Sequence, residues 1–206
     1  MKRANENIFE DGLDVDQIQA DTEQAVRNLL AALRIDQDND HNTKDTAKRV
    51  AKMYVREVFS GRYTPKPKIT EFPNHKELDD LYTLGPITVR SACSHHLVPI
   101  VGKLWVGVIP TDKVIGISKF VRLAEWILAR PQIQEEAVVQ LADELETMLK
   151  PQGLAIVMDA EHLCMTWRGV RESGTKMTAS VMRGVMRDDP AVRAEFMSLI
   201  AGQRLT

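Results

Sequence analysis

The chain spends its only two cysteines beside histidines, in Cys93-Ser94-His95-His96 and in His162-Leu163-Cys164. Three of its five histidines fall in these two short clusters. Thiolate and imidazole are the ligands zinc favours, and a catalytic zinc takes three protein ligands and keeps a fourth position for water. If both clusters serve one ion, the fold must carry residues 93–96 against residues 162–164. Two readings compete with a catalytic centre. The cysteines are simply buried, or a structural zinc gains a fourth ligand from His95 or His162. A disulfide is disfavoured in a reducing compartment. Even so, two thiolates on one tetrahedral ion lie roughly 3.8 Å apart, so metal loss and oxidation would bring them within reach of a bond.

Periodicity around the clusters sets the fold class. Val15, Ile18, Ala25, Leu29 and Leu33 recur at helical spacing and predict one apolar helix face. A second helix is expected from about Thr46, with Val50, Met53, Tyr54 and Val58 inward and Gly61 as its stop. Residues 63–73, with prolines at 65, 67 and 73, read as a connector or edge strand. Residues 86–93 and 97–109 are rich in Val and Ile and predict paired strands, with Val98, Ile100, Leu104, Val106 and Val108 on one face. A helix should follow with Ile117, Phe120, Val121, Ala124, Ile127 and Leu128 inward. The next is expected to start at Pro131, with Ile133, Ala137, Leu141, Leu145 and Met148 inward and Gly153 beyond its end. Strands over 154–168 and 175–186 and a helix from about Pro190 complete the order. This is α+β, an antiparallel sheet with helices on one face. The expected division is an N-terminal helical segment, 1–62, and a catalytic domain, 63–206.

Alternate side chains of a strand share a face, so His162 and Cys164 should look the same way. Cys93 and His96 converge only if the chain turns at the end of the first strand. That geometry favours Cys93, His96 and Cys164 as ligands, with His95 and His162 free to move protons. A net charge of −2 and 27% charged residues give no global basic field for nucleic acid. No apolar run approaches the roughly 20 residues a membrane helix needs, and the first residues lack the apolar core of a secretory signal. The expectation is a cytoplasmic protein, with neither nucleic acid nor membrane as a partner.

The motifs together resemble the GTP cyclohydrolase I family. They are DTAKRVAKMYVREVFSG at 45–61, Cys93-x-His95-His96, VIGISKFVRL at 114–123, RPQIQE at 130–135, and His162-x-Cys164 followed by WRGVR at 167–171. The resemblance implies the T-fold and a ring-shaped homo-oligomer, a decamer of two stacked pentamers with active sites shared between subunits. It implies conversion of GTP and water to 7,8-dihydroneopterin triphosphate and formate. It implies zinc on Cys93, His96 and Cys164, with His95 and His162 handling protons. Glu135 matches the carboxylate that holds guanine, with Gln134 beside it. Ser118, Lys119, Arg122, Arg168, Arg49 and Lys52 match the triphosphate contacts.

These roles make physical sense. One carboxylate accepts both guanine N1–H and the 2-amino group, a pair adenine lacks. Ser118, Lys119 and Arg122 sit where a helix N-terminus attracts phosphate. Read alone, Glu135 is an ordinary first-turn carboxylate, and the basic residues are an ordinary solvated face. Two positions depart from the family pattern, Ser94 for the usual Glu and Ala47 for a common proline. A different enzyme on the same fold, related to pyruvoyl-tetrahydropterin synthase, is disfavoured because those sites use histidines alone. The remaining alternative is a non-catalytic zinc- and GTP-binding paralogue.

Overall fold

Leu104, Val106 and Val108 alternate with Trp105, Gly107 and Ile109, and a strand turns such alternation into two distinct faces. The computed structural model, which describes residues 2–204, uses both of them. The helices are α1 (Val15–Ala32), α2 (Thr46–Lys52), α3 (Ser60–Tyr63), α4 (Ile117–Leu128), α5 (Gln134–Leu149), α6 (Leu163–Thr166), α7 (Val185–Asp188) and α8 (Pro190–Arg204). The strands are β1 (Glu71–Pro73), β2 (Tyr82–Cys93), β3 (Pro99–Ile109), β4 (Lys113–Ile115), β5 (Pro131–Gln132), β6 (Gly153–His162) and β7 (Met177–Gly184). The main sheet runs β5-β2-β3-β6-β7 and is antiparallel except where β5 joins β2, while β1 and β4 form a separate pair. This is the α+β arrangement expected, and it is consistent with the T-fold.

On one face Leu104, Val106, Val108, Leu154, Ile156 and Met158 pack with Phe120, Leu123 and Ile127 of α4 and Leu141 and Leu145 of α5. Each such side chain contributes about 1.5–3 kcal/mol by leaving water. The other face is not bare. Trp105, Ile109, Ala155 and Val157 are covered by Met186 of α7 and by Phe196 and Ile200 of α8. Gly107 makes room for that cover, since a Cβ there would lie 2.5 Å from Phe196 Cδ2.

Boundaries differ from expectation for local reasons. β2 starts at Tyr82 rather than 86, because Tyr82, Thr83 and Leu84 pair with β3 ahead of a bulge at Gly85-Pro86. Pro131 does not open a helix. It lies in β5 beside Ala92, at the sheet edge where a missing N–H is tolerated, and α5 begins at Gln134. β6 ends at His162, and Leu163–Thr166 turn into α6, so Cys164 stands on a helical turn and not on a strand. β7 is likewise shorter than 175–186.

In the N-terminal region, α2 runs into a π-helical stretch, Met53–Val58, that adds a residue to the turn. The buried row there is Ala47, Ala51, Val55 and Phe59; Met53 is exposed, and Val50, Tyr54 and Val58 are half-buried. The inward face is therefore rotated from the one expected. Leu29 of α1 and Leu33 just past its end are 56% and 60% exposed while Val15 and Ile18 are half-buried, so the expected apolar face is covered only in part.

Gly61 does not stop a helix. It lies inside α3, pressed on α4, where a Cβ would be 1.9 Å from the carbonyl oxygen of Trp126. Gly61→Ala is expected to lower the free energy of unfolding by about 1–3 kcal/mol, the usual cost of forcing an extra carbon into a packed contact. Urea denaturation reads this directly; an unchanged midpoint would show that α3 shifts freely.

Candidate active site and metal centre

β2 ends at Cys93 and a tight turn follows. Leu97 N–H donates to Cys93 O at 2.8 Å and Cys93 N–H to Val98 O at 2.9 Å. Leu97 takes a left-handed φ of 55° to close the turn. The turn folds His96 back toward Cys93, which a straight strand forbids. From the far side, β6 and α6 bring Cys164. One donor atom each from Cys93, His96 and Cys164 lies within 4.8 Å of the others.

The donor set of this cluster suits a cation. Burial pushes the Cys164 thiol above its ordinary range, and the adjacent Cys93 pushes it further, with Arg168 opposing. Two neighbouring thiolates repel unless a positive ion sits between them, and an ion that coordinates a thiol deprotonates it. Two sulfurs and one imidazole suit zinc. The residues present therefore fit such an ion.

Around this cluster the expected residues divide into those brought near and those held elsewhere. Arg168, in the loop after α6, places its guanidinium NH1 3.1 Å from His96 Nε2. His95 is exposed, its ring edge-on to His96 with centroids 6.4 Å apart. His162 closes β6 at half-burial; burial lowers its imidazole below the ordinary range, and the negative charge of Glu135 opposes this. Glu135 is exposed in the first turn of α5. Ser94 donates its N–H to Gln132 O at 3.0 Å.

Gln134 behaves differently from expectation. It is 0% exposed, and its carboxamide is committed to Met158 O, Met177 O and His162. The carboxamide thus meets His162 directly. Position along the chain did not reveal this, because Gln134 and Glu135 are neighbours yet point about 100° apart on a helix.

Ser118 and Arg122 are exposed on α4, and Lys119 Nζ reaches Lys68 O at 3.4 Å. Arg122 shares a cavity of about 440 Å³ with Arg90, which sequence reasoning did not single out. Arg49 and Lys52 are exposed on α2, near Asp45 at 3.5 Å and Glu57 at 3.9 Å respectively. Among the described residues, no hydrogen bond or ion pair joins these five to the cysteine cluster.

The sequence profile described as GTP cyclohydrolase I matches residues 22–201. The chain belongs to the GTP cyclohydrolase I family. It is 38% identical to the GTP cyclohydrolase 1 of Aliivibrio salmonicida (strain LFI1238), over 92% of this chain and 87% of that protein. It is 40% identical to that of Brevibacillus brevis (strain 47 / JCM 6285 / NBRC 100599), over 91% of this chain and 98% of that one. A solved structure, the archaeosine synthase QueF-Like in the apo form, matches with a TM-score of 0.39 and 14% identity, covering 59% of this chain and 96% of that one. That likeness is too slight to weigh on activity.

Proposed function

We propose that this chain is a zinc-dependent GTP cyclohydrolase I, a hydrolase that opens the imidazole ring of GTP with water and releases formate and 7,8-dihydroneopterin triphosphate. GTP as the substrate follows from the family. The observation that carries the reading for this chain is the convergence of Cys93, His96 and Cys164 within 4.8 Å, close to His162 and the Glu135 charge that acts on it.

Cys93, His96 and Cys164 would hold a zinc ion, which would supply Lewis acidity and an activated water. The protein does the rest. Glu135 accepts guanine N1–H and the 2-amino group and orients the base. His162 protonates a nitrogen of the imidazole ring, drawing electrons from the carbon under attack. His95, exposed beside the ligand His96, serves the later proton transfers of ring opening and ribose rearrangement.

Ser118, Lys119, Arg122, Arg168, Arg49 and Lys52 hold the triphosphate. Arg49 and Lys52 lie exposed on α2 beside Asp45 and Glu57, and a site completed by a neighbouring subunit of a ring-shaped decamer belongs to the same proposal. The division into a helical segment, 1–62, and a catalytic domain, 63–206, belongs to the same proposal. No helix of the described residues is long and apolar enough to cross a membrane. Cytoplasmic placement is part of the proposal as well, since two free thiols need a reducing compartment. His95, His162 and Glu135 are all present, which weighs against the non-catalytic paralogue despite Ser94.

The test is metal-quantified protein incubated with GTP while free formate and the pterin product are followed. Turnover that a chelator abolishes and zinc restores is the expected result. Bound zinc and GTP without formate would establish the non-catalytic paralogue instead, with Ser94→Glu the first reversion to make.

A further inference from the structure

Gln134 opens α5, is 0% exposed, and makes three hydrogen-bonding contacts inside the protein, with both its N–H groups and its oxygen engaged. Its Nε2 donates to Met158 O at 2.8 Å and to Met177 O at 2.9 Å. These carbonyls belong to the neighbouring strands β6 and β7. A carboxamide nitrogen carries two hydrogens, and both are used. Turning the amide over would set its oxygen against two carbonyl oxygens and lose both of its buried N–H hydrogen bonds. The amide orientation is therefore dictated by chemistry.

Oε1 then faces His162 Nε2 at 2.8 Å. An acceptor oxygen there requires an N–H on the imidazole. In the neutral ring that proton leaves Nδ1 as the acceptor.

We infer that Gln134 is a positioning residue that fixes the ring of His162 and holds it in the Nε2–H tautomer, leaving Nδ1 as its acceptor nitrogen for the reaction with GTP. The substrate half of this inference rests on the proposed function; the tautomer half does not. Its consequence for the site is a division of labour within one helical turn. Gln134 points inward and orients His162, while Glu135 is exposed and set to hold the base. Because both are fixed to the start of α5, the base and His162 share one rigid reference. A Gln that touched substrate would need an accessible amide, and this one has none to spare.

Two experiments test it. In Gln134→Met, which keeps length and loses the hydrogen bonds, kcat is expected to fall about 10- to 100-fold, the usual cost of losing a partner that orients a working histidine. KM for GTP and zinc content should hold. The same substitution in a His162→Asn background should cost nothing further, since there is no imidazole left to orient. An equal loss in both backgrounds overturns the inference, and so does a raised KM with unchanged kcat.

If Gln134→Met fails to assemble, the wild-type protein still decides. In 15N spectra of histidine-labelled, zinc-loaded protein, with His162→Asn identifying the missing signals, neutral His162 should show a protonated Nε2 and a bare Nδ1. The opposite tautomer overturns it. A wild type without GTP turnover would instead sink the proposed function, and the spectrum would still report the tautomer.

Discussion

Cys164→Ser protein is expected to purify nearly free of zinc and to release no measurable formate from GTP. The sulfur lies on α6 with its donor atom within 4.8 Å of those of Cys93 and His96, so its loss leaves two of three ligands. A serine hydroxyl does not ionise near neutral pH, so it does not stand in for a thiolate as an anionic ligand. Changes in the residues that merely support metal ligands cost about 10- to 100-fold in affinity or activity, and removal of a ligand should exceed that. Stability should fall as well. An ion present at about 100 times its dissociation constant stabilises the fold by about 2.7 kcal/mol, and a variant without the ion forgoes that. Metal content, formate release and the thermal midpoint, measured with and without added zinc, check the three parts. A variant with full zinc and wild-type formate release would exclude Cys164 as a ligand.

His162→Ala should retain zinc and GTP binding while kcat falls about 10²- to 10⁴-fold, the range for removal of a general acid. That corresponds to about 3–5 kcal/mol in the barrier. The variant also leaves Gln134 Oε1 without its partner in a fully buried position, so about 1–3 kcal/mol of stability should go with it. Measuring kcat well below the thermal midpoint separates the two effects. GTP-dependent formate release at the wild-type rate would remove His162 from the mechanism. A loss confined to KM would turn it into a binding residue.

The residues themselves determined a great deal. One-face spacing in β3, the short apolar run of β6 and period-3.6 spacing in α4 and α5 marked the α+β class, because each pattern has a geometry that buries it. The pairing of both cysteines with histidines named Cys93, His96 and Cys164 before any coordinates, since thiolate and imidazole in one cluster have few other uses. What the residues did not determine was how local segments answer to their neighbours. Pro131 reads as a helix start but lies in a strand, because Gln132 pairs with Cys93. Gly61 reads as a stop but is a point of close approach to Trp126. Cys164 reads as a strand residue, yet it reaches the site from a helical turn. Gln134 and Glu135 read as one substrate-contacting pair. Only the packing of α5 against β6 and β7 separates them, because the direction of a side chain follows from the helix phase and the carbonyls it meets, which lie 24 and 43 residues further along the chain.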